Sequence, residues 1–373
     1  MMKQTGIGVI GCGNISDVYI KNLSIIFSNT KVVAVTDIFR EKAVEKAEKF
    51  GIPCVCKNVE ELLAQPEVEI VLILTLPHSH AALAKASLEA GKHTYVEKPY
   101  AYTRAEARAL VELAKRKGLY FSSAPDTALG AVVQTGRKLI EDGWIGDIIG
   151  ASMSSSFGSP ETWHPNPDFF YKAGAGPLYD NGPYAVLAMA YLLGPFASVS
   201  CAGRKTYEYR TITSKPRYGE KITVEVPTFL QCVMTFESGA ISTAMFSCDT
   251  CNEKLQENGF EIYGSLGTLV LSHPSKFGGK VLLKTRQMEQ WQEIPLLSCY
   301  SETMRGVGVA DMAYAIENHL EPRLSTDLVY HVVDAMISID EAWQTGQTIR
   351  IESTFQKTRP LPMGVTIGNV ELE

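Results

Sequence analysis

Residues 5–16 read Thr-Gly-Ile-Gly-Val-Ile-Gly-Cys-Gly-Asn-Ile-Ser, a short apolar run that feeds directly into a glycine-rich turn. Thr5–Ile10 is short, rich in β-branched residues and ends at glycine, which predicts a buried strand rather than a helix. Gly11 permits the tight turn and Gly13 lets another group approach the backbone closely. The third small position of G-x-G-x-x-G is held by Ser16, still small enough for a helix to pack on the strand. Asn14 and Ile15 complete the turn. The helix expected from Asn14 to Phe27 would present free N–H groups and its positive dipole end to a pyrophosphate. Asp37 ends the next expected strand, Val32–Thr36, 24 residues beyond Gly13, where an acid meets ribose hydroxyls. Gly11, Gly13, Asn14, Ile15 and Asp37 therefore predict a dinucleotide site. Asp37 would repel a 2′-phosphate, so NAD is expected over NADP; Arg40, at the next helix start, would soften that preference.

Outward from this turn, strands and helices alternate through residue 125. Helical patterns are expected at Arg40–Phe50, His80–Ala90 and Arg104–Lys117, and strands at Val68–Leu74, Thr94–Val96 and Tyr120–Ser122. Such βα repetition predicts a parallel sheet with helices on both faces, an α/β Rossmann nucleotide-binding domain over residues 1–125. The runs VVAV and IVLIL are apolar throughout, as strands buried on both faces must be.

Two further stretches fall on the carboxyl edge of this sheet, where open α/β folds bind ligands. Thr75-Leu76-Pro77-His78-Ser79-His80 leaves one strand; Pro77 stops it, Ser79 is placed to cap the next helix, and Thr75, Pro77 and His80 are expected beside the nicotinamide. In Gly91–Tyr102, GKHTYVEKPYAY, a β-prone run ends in Glu97-Lys98-Pro99. The residue before a proline is biased to extended backbone, which holds Lys98 at the strand's end.

The 373 residues are 45% hydrophobic and 20% charged, with formal net charge −6. This is a globular composition long enough for two domains. Mild acidity without a basic run argues against nucleic-acid or anionic-membrane partners. No apolar run approaches the roughly 20 residues of a membrane span, and no signal-peptide pattern stands at the start, so a cytoplasmic location is expected. The eight cysteines are expected as reduced thiols. Cys248 and Cys251 have the spacing of half a zinc site, but no second pair matches it, so no metal is expected.

The nucleotide-binding turn, the T-x-P-x-x-H loop and G-K-H-x-x-x-E-K-P, in this order, resemble the Gfo/Idh/MocA family, dehydrogenases of the glucose–fructose oxidoreductase and inositol dehydrogenase type. The resemblance covers most of the chain and implies that Lys98 is catalytic, with Glu97 beside it at the cofactor. Beyond residue 125 the pattern changes. Gln134–Asp142 reads as a helix, and strands alternate over Ile148–Phe157, Leu230–Phe236, Ala240–Cys248, Phe260–Tyr263 and Thr268–Leu271. Helical patterns resume at Glu302–Leu320 and Thr326–Gln344. The expectation is a substrate-binding and oligomerisation α+β domain over 126–350, with a C-terminal arm over 351–373. The family implies a large, mostly antiparallel sheet there, which walls the substrate cleft and forms homo-oligomer contacts in a dimer or tetramer.

Gly174–Tyr184, GAGPLYDNGPY, matches the family's G-G-G-x-L-x-D-x-G-x-H with Tyr184 in place of histidine. Asp180 and Tyr184 are four residues apart, a spacing that puts two side chains on one helix face. Alcohol oxidation moves a hydride to nicotinamide and a proton to a base. A tyrosine of ordinary pKa, about 10, is a poor base until a nearby ammonium favours its phenolate. Lys98 would supply that charge and Asp180 would orient it; a lysine of lowered pKa is the alternative base, and His164 the next proton carrier. Trp163, His164 and Lys172, in a proline-stiffened aromatic stretch, suit a sugar ring, and Asp126 is expected in the same cleft by the family's layout. The expected activity is NAD-dependent oxidation or reduction of a sugar, glycoside or cyclitol hydroxyl. Two alternatives stand beside it: a glycosidase or lyase-linked enzyme that oxidises its sugar transiently, and a dinucleotide-dependent ligand sensor without turnover.

Overall fold

The computed structural model describes residues 4–250 and 259–372, and these pack as two units. The first comprises residues up to Gln134, Leu297–Tyr330 and the chain from Gln356. Its sheet holds β1 (Thr5–Ile10), β2 (Thr30–Thr36), β3 (Cys54–Val55), β4 (Ile70–Ile73), β5 (His93–Val96) and β6 (Phe121–Ser123), in the order β3-β2-β1-β4-β5-β6. Every pairing is parallel. The order reverses between β1 and β4, and that reversal opens a crevice at the strands' carboxyl ends.

The helices follow local chemistry. α1 (Ser16–Lys21) runs into a π-helical turn at Asn22–Ile26, so the single helix expected from Asn14 to Phe27 is divided. At this junction the Asn22 amide donates to the carbonyls of Thr303 (3.3 Å) and Arg305 (2.8 Å). α2 (Arg40–Phe50) ends at Gly51, whose φ of 68° suits the left-handed cap. A polar stretch with no strand or helix expected forms β3 and α3 (Val59–Leu63), capped by Asn58. α4 (His80–Glu89) and α5 (Arg104–Lys117) complete the set, the latter capped by Thr103, whose Oγ1 accepts the Glu106 N–H (3.2 Å) and donates to the Glu106 carboxylate (3.0 Å).

The boundaries drawn at 125/126 and 350/351 differ from the packing. The expected C-terminal arm returns to the first unit: Ser28 N–H donates to Gly368 O (3.1 Å), Tyr300 to Asn369 O, and the buried Arg323 to Glu371 (2.9 Å). Arg323 also pairs with Asp311 of α9 (Val307–Asn318). Such contacts join residues up to 340 positions apart, beyond the reach of composition or periodicity.

The second unit, Thr135–Leu296 and His331–Phe355, holds a nine-stranded sheet. It contains β7 (Ile148–Ser156), β8 (Phe196–Arg204), β11 (Phe229–Phe236), β12 (Ile241–Ser247), β13 (Phe260–Gly264), β14 (Gly267–Leu271), β15 (Val281–Thr285), β16 (Gln292–Glu293) and β17 (Ile349–Arg350). A separate hairpin is made by β9 (Tyr209–Thr211) and β10 (Lys221–Thr223). The sheet order is β16-β15-β14-β13-β7-β12-β11-β8-β17, and every pairing except β7 with β12 is antiparallel. Along β11, Leu230, Cys232, Met234 and Phe236 are buried while Gln231 and Val233 face out, the alternation of a sheet covered on one side. α7 (Gly176–Asp180) and α8 (Gly182–Leu193) lie wholly in this unit, which also takes α6 (Ala131–Glu141) from Thr135 and α10 (Thr326–Thr345) from His331, and every residue of α8 is buried.

A buried histidine fastens the end of this sheet. His331 Nε2 accepts the Phe196 N–H (2.9 Å), so its Nδ1 donates to Ser353 Oγ (2.9 Å), which donates to Asp334 (2.6 Å). Burial pushes the imidazole's pKa down to about 4. The folded value lies below the unfolded one, near 6.5, so this stabilisation is complete above about pH 6.5 and is lost as pH falls towards 4. It amounts to roughly 3 kcal/mol. His331→Gln is expected to melt lower at pH 7 yet lose less between pH 7 and 4.5, as thermal unfolding across pH would show. Parallel melting curves would contradict the assignment.

Candidate active site

The glycine-rich turn sits where the strand order reverses. Gly11 has φ of 100°, and a Cβ there would lie 2.8 Å from the Leu74 carbonyl carbon. At Gly13 a Cβ would meet nothing within 4 Å, so the turn is open on the side a phosphate approaches. Ser16, in the third small position, is buried and donates to Gly13 O (2.6 Å). Asp37 directly follows β2, its oxygens accepting the Cys12 N–H (2.7 Å) and the Phe39 N–H (2.8 Å). Backbone on both sides thus fixes this carboxylate, one oxygen on the amide of the residue before Gly13. Burial, with Asp37 nearby, pushes the Cys12 thiol up to about 12 and keeps it neutral. A cradle that a Cβ would fill, an open second glycine and a fixed carboxylate fit a dinucleotide. Asn14 and Ile15 lead into α1, and the exposed Arg40 opens α2.

His80 ties the next two loops together. Fully buried, it faces Pro99 O with Nδ1 (2.8 Å) and Thr75 O with Nε2 (3.0 Å). Burial lowers its pKa, and the neutral ring donates to one of the two. His80 is therefore a brace rather than a group open to a ligand. Thr75 Oγ1 pairs with Ser79 Oγ (2.7 Å), and Pro77 opens the 3-10 turn between them.

The Glu-Lys-Pro turn follows β5, and its Lys98–Pro99 peptide is cis, a state that residue order alone does not reveal. Glu97 is buried: Oε1 accepts from Tyr19 (2.9 Å) and lies 3.8 Å from Arg305, while Oε2 accepts the Lys98 N–H (2.9 Å). Lys98 is half-buried, and its charge pulls down on the Tyr102 phenol, whose pKa burial raises. Asp126, expected to meet substrate, is instead fully buried, and its Oδ2 accepts the Gly306 N–H (2.7 Å) ahead of α9. Tyr19 and Arg305 carry no motif and lie far from Glu97 in sequence; pattern reading had no signal for them.

In the second unit, Asp180 ends α7 and Tyr184 lies in the first turn of α8. The single helix face expected for the pair is corrected: the helix breaks at Asn181, because Gly182 and Pro183 follow and proline brings no N–H. Tyr184 is 8% exposed. Trp163, half-exposed, stands edge-on to His164 at 5.5 Å. His164 Nδ1 accepts the Asn166 N–H (3.0 Å), assigning the proton of a neutral ring to Nε2. Lys172 is exposed and paired with Glu225 (2.6 Å), which gives it a structural partner. Among the described residues no cluster of three or more His, Cys, Asp or Glu is arranged for a metal, and Cys251 lies outside them.

Residues 5–124 match the model of an oxidoreductase family with an NAD-binding Rossmann fold, and residues 133–270 match the C-terminal domain of that same Gfo/Idh/MocA family. The chain belongs to the Gfo/Idh/MocA oxidoreductases. Levoglucosan dehydrogenase of Pseudarthrobacter phenanthrenivorans is 29% identical over 62% of this chain and 63% of its own. The chain thus spans less than two thirds of that relative. The 1,5-anhydro-D-fructose reductase of Ensifer adhaerens is 25% identical over 93% of this chain and 98% of its own. The fold matches a solved levoglucosan dehydrogenase in complex with NADH and levoglucosan, with a TM-score of 0.81, 21% identity, and 94% of this chain and 100% of that one covered. Among the described residues no helix is long and apolar enough to cross a membrane.

Asp37 generates the first functional test. Fluorescence titration is expected to show NADH binding more tightly than NADPH. Asp37→Ala is expected to weaken NADH by roughly 10- to 100-fold, as a lost hydrogen bond to a charged group does, and to narrow the gap. Equal or tighter NADPH binding by the unmodified protein would refute the role.

Proposed function

We propose that this protein transfers hydride between a secondary hydroxyl of a sugar, glycoside or cyclitol and NAD, with Lys98 and Tyr184 handling the proton. The observation that carries the reading is the Glu-Lys-Pro turn: Glu97 fixes the backbone of Lys98 at the carboxyl end of β5, on the sheet edge that bears Gly11, Gly13 and Asp37. The named activities of relatives support it, among them levoglucosan dehydrogenase and the myo-inositol 2-dehydrogenase of Thermotoga maritima.

When bound, NAD supplies the acceptor for the hydride that leaves the carbinol carbon. Gly11, Gly13, Asn14 and Ile15 hold its phosphates and Asp37 its ribose. Lys98 places an ammonium at the substrate oxygen, where it favours the alkoxide as the O–H bond breaks. Tyr184 takes the hydroxyl proton, Asp180 orients the substrate or the lysine, and Trp163 with His164 offers an aromatic face to the ring. The half-exposed Val233 and Ile241 share the outward face of the large sheet, and we assign that face to a second copy of the chain.

A screen of sugars, glycosides and cyclitols for NADH formation tests the activity. With a turned-over substrate, Tyr184→Phe is expected to slow the chemical step by roughly 10²–10⁴-fold while leaving NAD affinity unchanged. Lys98→Ala is expected to be at least as damaging, and His164→Asn to raise KM more than it lowers kcat. Near-normal single turnover in Tyr184→Phe beside an inactive His164→Asn would move the proton to His164. NADH binding without turnover of any substrate, or solvent exchange of a ring hydrogen without net NADH, would replace a dehydrogenase with a sensor or a transient oxidiser.

A further inference from the structure

Beneath the Glu-Lys-Pro turn lies a buried group of charges within the first unit. Glu97 ends β5, and Arg305, in the loop before α9, lies 3.8 Å from its Oε1. Asp126 follows β6 with no exposed surface, its Oδ2 held by the Gly306 N–H at 2.7 Å and, more loosely, by that of Gly308 at 3.5 Å. Arg305 is the strongest charge acting on Asp126, and Glu97 is the next carboxylate. Glu97 thus lies against the Arg305 guanidinium, while Asp126 holds the amide of the next residue, Gly306. Tyr19, on α1, donates to Glu97 (2.9 Å).

The group is incomplete in one place. Asp126 Oδ1 and the Tyr95 hydroxyl are both fully buried and have no hydrogen-bond partner. Asp126 is the foremost charge acting on the Tyr95 phenol. Gly308 permits that placement, since a Cβ there would lie 2.5 Å from the Tyr95 oxygen. A buried acid with an orphaned oxygen is costly unless it serves something.

We propose that Asp126 and Arg305 are positioning residues that act through Glu97 to set the charge and the orientation of Lys98. Glu97 is the relay, because its Oε1 meets Arg305 while its Oε2 holds the Lys98 N–H. Arg305 offsets the field of Glu97 at Lys98, and Asp126 anchors the backbone beside Arg305 through the Gly306 N–H while adding a negative charge of its own. Burial pushes the Asp126 carboxyl up to about 6, so its charge is itself sensitive near neutrality. Among the described residues, titratable groups that face this cluster include Tyr19, Tyr95, Tyr102 and His80, all neutral near pH 7, and Asp311, which Arg323 pairs.

This inference rests on the proposed role of Lys98, and its test reads Lys98 without substrate. Lysines of the full chain are dimethylated with ¹³C, the Lys98 resonance is assigned by its loss in Lys98→Arg, and its titration is followed by NMR. Asp126→Asn keeps the acceptor for Gly306 and removes the charge; the Lys98 midpoint is expected to fall by roughly half a pH unit or more. Arg305→Met is expected to raise it by a similar amount, and Arg305→Lys to leave it near the original. Should Arg305→Met fail to fold, Arg305→Gln carries the same test and must raise the midpoint. Opposite signs are what a merely structural role does not produce. Shifts of one sign, or no shift in folded variants, overturn the proposal. Shifts as expected in an enzyme whose turnover ignores Lys98 would leave the network standing and sink only the catalytic reading.

Discussion

The carboxylate of Glu97 is buried at the end of a parallel strand, and both of its oxygens are engaged, one with the Tyr19 phenol and the Arg305 guanidinium, the other with the amide of Lys98. A buried carboxylate without such partners would take up a proton or destabilise the fold. With these partners in place, the consequence is geometric. The turn that carries Lys98 is pinned from below by α1 and by the loop ahead of α9, and from the side by His80, which spans the carbonyls of Thr75 and Pro99. A lysine on a free loop would sample many positions; one whose amide is held by the preceding side chain starts from a single origin.

What the sequence disclosed follows from the range over which each signal acts. The turn at Gly11–Ser16 and the acid at Asp37 were legible because strand, turn, helix and next strand lie within 33 residues, and each needs a particular residue type. Glu97-Lys98-Pro99 was legible as a motif, yet the engagement of Glu97 was not, because Tyr19 and Arg305 come from distant segments. Asp126 shows the limit most plainly. An acid just after the last strand of a nucleotide-binding sheet was expected to face ligand, but its carboxylate turns inward to the amide of Gly306, 180 residues away.

The second unit repeats that lesson at closer range. The spacing of Asp180 and Tyr184 implied one helix face, while Gly182 and Pro183 between them ended one helix and began another. The Trp163 segment carries its aromatic and polar groups as expected, and its shape comes from partners that periodicity does not reveal. Ser214 Oγ donates to the carbonyl of His164 (2.6 Å), and Arg217 donates to Asn166 (2.8 Å). Residues of the β9–β10 hairpin region thus hold the stretch that the proposed function assigns to the sugar.

The central claim is that the first unit seats its nucleotide along the edge formed by the glycine turn, Asp37, the Thr75–His80 loop and the Glu-Lys-Pro turn. Hydrogen–deuterium exchange of the full chain with and without saturating NADH tests it most directly. The account predicts slowed exchange in four separate stretches, residues 11–16, 36–40, 75–80 and 96–102. Protection that spares these stretches and appears elsewhere would contradict it.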